Sequence, residues 1–459
     1  MFVNRCKYRD FFINFALHKD FLRQMKHYII YIISLFTAFF ITSCGEDRTY
    51  EYVEKTQHNH WAYELLQEKY LWNETLTEPE WKSFFKTPQD FISQLASKSG
   101  HQDKWSYATV DTINTDVHQR GFFNHVESYG FDFAIITDPT GQTTKTFARV
   151  LTVYPGSPAE QAGLKRNDFI GFFDGYKVTN GNTARLVKGI ARTYDVYHIA
   201  ANEEEGTYYW QDTVKRNIGA SKYVEDIAFP VHSVQSVMGI NVGYLQCTRL
   251  LNGPEEKGDG RTLQNTDKYK NDLDAIMQDI KSKEASECVL DLRLCNDGNI
   301  DMACRLASYL VDPNYIDGVF AKTVWNENNS ANNRTYHYDT SLLSSNLHLS
   351  RIYILTSGYT QGAAEWLINA LRSSMGEENV VVIGQKTAGQ MVMTQEIGHE
   401  YYVHLFPVVA YITDSEGNAY EGAITPTVEV NEMNALYLYN YGDINEILFH
   451  TALRMMMGE

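Results

Sequence analysis

Two stretches of this chain put polar and reactive residue types on turns that leave buried elements. The first is LTSGYTQGAAEWLINALRSSM, residues 355–375, where Ser357 and Thr360 stand between an apolar strand and an apolar-faced helix. The second is VVVIGQKTAGQMV, residues 380–392, with Lys386 on the turn after a strand. A serine hydroxyl and a lysine amine can act as nucleophile and base when burial holds the amine neutral. A third stretch, His399-Glu400 with His404, comes near a zinc motif. HExxH needs its histidines four apart on one helical face, whereas these are five apart in a Tyr-rich segment that reads as strand. The six cysteines form no CxxC pair, and no His/Cys spacing suits zinc. Cys288, Cys295 and Cys304 lie among apolar residues and read as buried free thiols. No phosphate-binding loop or dinucleotide fingerprint is present, so neither a metal nor a cofactor is expected.

The elements that would position these residues alternate. Cys288 to Leu292 is a buried strand, and Ile300, Ala303, Cys304 and Ala307 give the helix after it. Ile352 to Leu355 and Val380 to Ile383 are further buried strands, separated by a helix with Ala364, Leu367, Ile368 and Leu371 facing inward. Tyr269, Leu273, Ile276, Met277 and Ile280 mark another amphipathic helix. Such alternation predicts a layered α/β core. Upstream, a helix with Tyr63, Leu66 and Tyr70 on one face begins near Asn59. A second starts at Thr87-Pro88, with Thr87 as its cap.

The N-terminus reads as export. MKHYIIYIISLFTAFFITSC, residues 25–44, has a basic start and an apolar run from Tyr28 to Ile41. That run is shorter than the about 20 residues of a membrane span and suits a signal peptide. Ile41-Thr42-Ser43-Cys44 resembles the lipobox of bacterial lipoproteins, with Cys44 as the lipidated residue. Residues 1–24 then read as an upstream extension, with Met25 as the start. The formal charge is −17 although residues 1–43 are basic on balance. That field repels phosphate backbones, so no nucleic-acid partner is expected.

The whole arrangement resembles the C-terminal (tail-specific) processing serine peptidases. The residues ARVLTVYPGSPAEQAGLKRNDFIGFFDGYKV, 148–178, resemble a PDZ domain, and Tyr129-Gly130-Phe131-Asp132-Phe133 stands where that module's carboxylate loop falls. PDZ modules add an extended peptide as a strand and capture its terminal carboxylate on backbone N–H groups. The resemblance implies a multidomain α+β protein: a small N-terminal helical domain, a PDZ-like β-rich domain and a layered α/β tail-specific protease core. The expected limits are 1–44 for the extension and signal peptide, 45–58 for a tether, and 59–112 for the helices. The PDZ-like domain takes 124–219 and the core 230–455.

In this family a serine opens the helix after a strand, and a lysine follows a T-x-G turn. Aligning Thr360 and Glu365 puts Gly362 at the nucleophile position; aligning Thr387 and Gly389 puts Gln390 at the base position. Glycine offers no hydroxyl, and an amide has no useful basicity. The oxyanion loop, Asp291 to Asn299, retains Gly298, whose N–H could act with that of Ala363, but Asp297 beside it would oppose an oxyanion. Asp291 and Arg293 read as a pair that holds this loop. The implied function is a lipid-anchored cell-envelope protein, at the outer membrane, that binds peptide or unfolded segments without cutting them. The alternative is an active serine endopeptidase with a relocated pair, Ser357 with Lys386, which would need both turns re-aimed.

Overall fold

The computed structural model describes residues 49–101, 103–110, 127–202, 204, 207–225, 227–254, 267–420 and 422–458. Cys44 and the apolar run before it lie outside them. By contacts the chain divides into two compact units, 1–57 and 58–459. The described part of the first is the opening of helix α1 (Thr49–Lys69). This corrects the tether expected over 45–58, because the chain is helical from Thr49. Residues 49–58 have no Gly or Pro, and their Glu, Lys and Gln are good helix formers, so a polar composition here did not mean coil. Among the described residues no helix is long and apolar enough to cross a membrane.

Helix α2 (Pro88–Lys98) starts as its sequence dictates: the Thr87 hydroxyl accepts the Asp90 N–H at 3.2 Å. Its buried Phe91, Ile92 and Leu95 share one apolar cluster with Val403, Leu405 and Val408 from the far end of the chain. Residues Tyr107–Val110 also pair antiparallel with Val403–Phe406. The helical segment from residue 58 is therefore built into the body of the fold and does not keep a core of its own.

The β-rich domain is an antiparallel sheet in the order β1 (Phe131–Thr137), β2 (Thr146–Val153), β3 (Phe169–Phe173), β4 (Arg192–Asn202), β5 (Thr207–Ile218). A one-turn helix, α3 (Pro158–Gln161), is capped by Ser157, which accepts the Glu160 N–H at 3.1 Å. A second single turn, α4 (Ala184–Val187), closes one side. Asp174 and Gly175, at φ 49° and 80°, make the tight turn after β3.

The core sheet has the order β6 (His232–Val237), β7 (Ile240–Gln246), β8 (Glu287–Asp291), β9 (Ile352–Thr356), β10 (Val380–Gly384), β11 (Val428–Glu429). Only the β6–β7 pair is antiparallel; the others are parallel. Every residue of β9 and β10 is buried, as a parallel sheet covered on both faces requires. Leu290, Ile354 and Val382 face helices α5 (Lys268–Ser282), α6 (Ile300–Leu310) and α7 (Ala363–Met375). Val289, Tyr353, Leu355 and Val381 face α8 (Ile447–Met456).

Candidate functional site

Three turns leave the same end of adjacent parallel strands and meet: residues 292–299 after β8, 357–362 after β9, and 385–390 after β10. Parallel sheets place their sites at this edge because all strand ends there open into one crevice. Glu365, in the first turn of α7 and fully buried, binds two of the turns together. Its carboxylate accepts the N–H of Gly362 at 3.0 Å, of Gly389 at 2.6 Å and of Gln390 at 2.7 Å. Burial raises its pKa above the ordinary value, and these amide donors only partly offset that.

Gly362 and Gln390 are brought side by side. A Cβ built on Gly362 would stand 3.4 Å from the Gln390 Oε1. A side chain at 362 would therefore touch the side chain at 390, which is the geometry a nucleophile–base pair needs. The pair present cannot do that chemistry. Gln390 Oε1 accepts a hydrogen bond from Gln361 Nε2 at 2.7 Å, and its backbone carbonyl accepts the Trp366 indole N–H at 2.9 Å. Gly362 has φ 59° and ψ −117°, a sharp strand-to-helix turn that lifts this position out of the helix axis.

Gly298 and Ala363 are neighbours: a Cβ on Gly298 would lie 2.9 Å from that of Ala363. Gly298 makes a parallel bridge with Leu250 that uses the Asp297 carbonyl and the Asn299 amide, each at 2.9 Å. The Gly298 N–H is thereby turned away from Leu250. Asp297 does not stand as a bare charge beside it, contrary to expectation. Its Oδ2 takes the Arg249 guanidinium at 2.7 Å, a partner 48 residues upstream whose relevance the sequence does not signal.

Ser357 and Lys386 are not assembled into a pair. The Ser357 hydroxyl donates to the Arg293 carbonyl at 2.6 Å and accepts the Tyr359 N–H at 3.0 Å. Thr360 does the same for the Leu292 carbonyl at 2.9 Å, so both residues fasten the turn to β8. Lys386 is exposed. Asp291 and Arg293 form the buried pair read from the sequence, at 2.6 Å, and Arg293 also meets Glu446 at 2.7 Å and Glu432 at 2.9 Å.

The segment Tyr129–Phe133 differs from an open carboxylate loop. Tyr129, Phe131 and Asp132 are fully buried, and the Tyr129 N–H donates to the Val187 carbonyl at 2.9 Å. His399 and His404 face each other across the hairpin of Gly398–Glu400 with Val403–Phe406, rings stacked at 3.8 Å. Among the described residues no group of His, Cys, Asp and Glu could hold a metal ion.

A mostly parallel, two-sided α/β core whose strand-end turns set a helix-opening residue against a post-strand residue is the frame of a serine-peptidase-type protein. Residues 241–430 match the model of peptidase family S41. A Bacteroides fragilis chain assigned to the S41 proteases is 27% identical, with a TM-score of 0.75, over 87% of this chain and 97% of that one. A photosystem II D1 C-terminal processing protease is 16% identical, with a TM-score of 0.47, over 86% of this chain and 97% of its own. Among curated proteins nothing matches.

Proposed function

We propose that this S41 family member is a lipid-anchored envelope protein that holds peptide or unfolded segments and does not hydrolyse them. One observation carries the reading: the two side chains that would have to form the catalytic pair are a hydrogen atom and an amide, at Gly362 and Gln390, in contact-forming positions. In subtilisin, an unrelated enzyme built on a catalytic triad, loss of the nucleophilic serine alone costs about a millionfold in rate. The frame around the pair supports binding, since the strand-end crevice, Glu365 and the Gly298–Ala363 neighbours all persist. The β-rich domain, PDZ-like in its Ser157-capped turn and edge strand, supplies a second surface for extended chain.

The test is direct. The wild-type protein should leave casein intact over long incubation and take up no serine-directed covalent probe. Gly362→Ser with Gln390→Lys together should give weak cleavage, and either change alone none. Wild-type turnover that Ser357→Ala abolishes would overturn the reading in favour of a relocated nucleophile.

Membrane attachment is supported by Ile41 to Cys44 behind the apolar run. Cys44→Ala should move the protein from the membrane fraction or leave it unprocessed. A fully processed, membrane-bound Cys44→Ala protein would remove the lipobox from the account.

A further inference from the structure

Two segments that leave neighbouring strands of the core sheet run on side by side past its edge. Residues 247–250 continue from β7, and residues 295–298 belong to the turn after β8. They face each other in parallel, each residue of the first opposite the one 48 places further on. Arg249 meets Asp297 at 2.7 Å, and Leu250 bridges Gly298. The same register sets Cys247 opposite Cys295, with their sulfurs 4.0 Å apart and both residues fully buried. The other described cysteines stand elsewhere: Cys288 lies within β8, and the Cys304 thiol donates to the His337 carbonyl at 3.1 Å.

A disulfide holds its sulfurs about 2 Å apart, so these two would have to close by about 2 Å more. Cys247 is fixed to the sheet, its N–H donating to the Asp291 carbonyl at 2.9 Å just past the β7–β8 ladder. Cys295 sits on the turn, which is the part that can yield. Its N–H donates to the Leu292 carbonyl and its own carbonyl accepts the Gln361 N–H, each at 3.0 Å. Gln361 precedes Gly362 and reaches Gln390 through its side chain, so a shift at Cys295 is passed to the strand-end crevice.

We propose that Cys247 and Cys295 are a redox-modification site: with a small-molecule disulfide as oxidant they join during folding, and the bond clamps the turn 292–299 against residues 247–250. The chemistry is thiol–disulfide exchange. One cysteine, as thiolate, attacks a sulfur of the oxidant and expels half of it as a thiolate, leaving a mixed disulfide. The second cysteine, as thiolate, attacks the protein sulfur of that mixed disulfide and expels the other half. Two protein thiols thereby lose two electrons and two protons, and the oxidant takes them up as two small thiols. In the closed fold burial pushes the Cys247 thiol well above its ordinary value, with Cys295 adding to the effect, so the finished structure keeps it protonated and unreactive. The bond therefore forms before the two segments close. The proposal is independent of what the crevice binds.

The test refolds the full chain from urea with oxidised and reduced glutathione, and in parallel with excess dithiothreitol. Alkylation of the remaining thiols and peptide mapping by mass should show Cys247 linked to Cys295, with Cys288 and Cys304 alkylated. The linked form should melt about 5 °C above the reduced one, because the bond closes a long loop in the unfolded chain. Hydrogen exchange over residues 292–299 should slow in the linked form. Cys247→Ala and Cys295→Ala should each abolish the difference between the two conditions, and Cys288→Ala should keep it. The readout is a difference, so a variant of lower stability still reports, and the wild-type map needs no variant. Alkylation of both Cys247 and Cys295 in the folded, oxidatively refolded protein would overturn the proposal, as would a link from either to another cysteine. The expected link with unchanged exchange over 292–299 would overturn the clamp.

Discussion

At Gly362 the backbone and the side chain tell different stories. Its φ of 59° and ψ of −117° form a turn that side chains adopt only under strain, and strain of this kind collects at catalytic positions. Glycine occupies it without penalty, so the turn keeps this shape with no side chain at 362. Gly362→Ser should therefore lower stability by about 1–3 kcal/mol while adding only favourable contacts with Gln390. Urea unfolding would measure it, and an unchanged midpoint would mean the turn relaxes freely. Glu365 shows what holds the turn in shape. Three amides converge on one buried carboxylate, and each would be left unsatisfied if it were removed. The motif residue was visible in the sequence as a landmark, but its role as the tie between turns was not. That role depends on Gly389 and Gln390, some two dozen residues away.

At the scale of elements, the segment Glu432–Leu438 works as a strap between the core and the β-rich domain. Arg149 on β2, 1% exposed, donates to the carbonyls of Ala435 and Leu436 at 2.8 Å each and of Met433 at 3.3 Å. Burial away from any paired carboxylate lowers its pKa to about 10, with the charge of Arg166 adding to the effect. Asn167 completes the clamp by accepting the Leu438 N–H at 3.1 Å. Arg149→Leu should cost about 3 kcal/mol, the penalty for stranding buried carbonyls. It should also open the 432–438 strap to limited proteolysis; a strap that stays resistant would show that the clamp is redundant. Nothing in the local sequence marks this arginine, whose neighbours on β2 are ordinary core residues. By contrast, the caps at Thr87 and Ser157 and the Asp174-Gly175 turn were legible, because each is satisfied within a few residues.

Across the whole molecule a buried charge chain joins the β-rich domain to the site loop. Arg166 meets Glu432 at 2.6 Å, Glu432 meets Arg293, and Arg293 meets Asp291 at the end of β8. Tyr441 lies against both guanidinium groups, at 3.9 and 5.0 Å. Burial alone would push the Glu432 carboxyl up, but Arg293 and Arg166 outweigh it and hold the pKa below its ordinary 4.5. A depressed folded pKa gives stability that is complete above the unfolded value and is lost as pH falls through the folded one. The thermal midpoint should therefore hold from neutral pH down to about 4.5 and fall below it. Glu432→Gln should weaken that acid dependence and cost about 3–5 kcal/mol at neutral pH, by leaving two buried arginines short of a partner. An acid profile identical in the variant would place the dependence elsewhere.

The sequence by itself determined the elements and their order, because hydrophobic period, caps and tight turns are settled over a few residues at a time. It also determined which residue types stand at positions 362 and 390. Only the tertiary structure decided that these positions touch, that Asp297 is matched by Arg249, and that the Tyr129 amide is taken by the Val187 carbonyl. Those outcomes depend on pairs far apart in the chain, and a buried charge or a filled groove exists only once both partners have been folded into contact. The helical start at Thr49 lay within reach of local propensity, yet a polar composition hid it, since a solvated helix and a tether use the same residues.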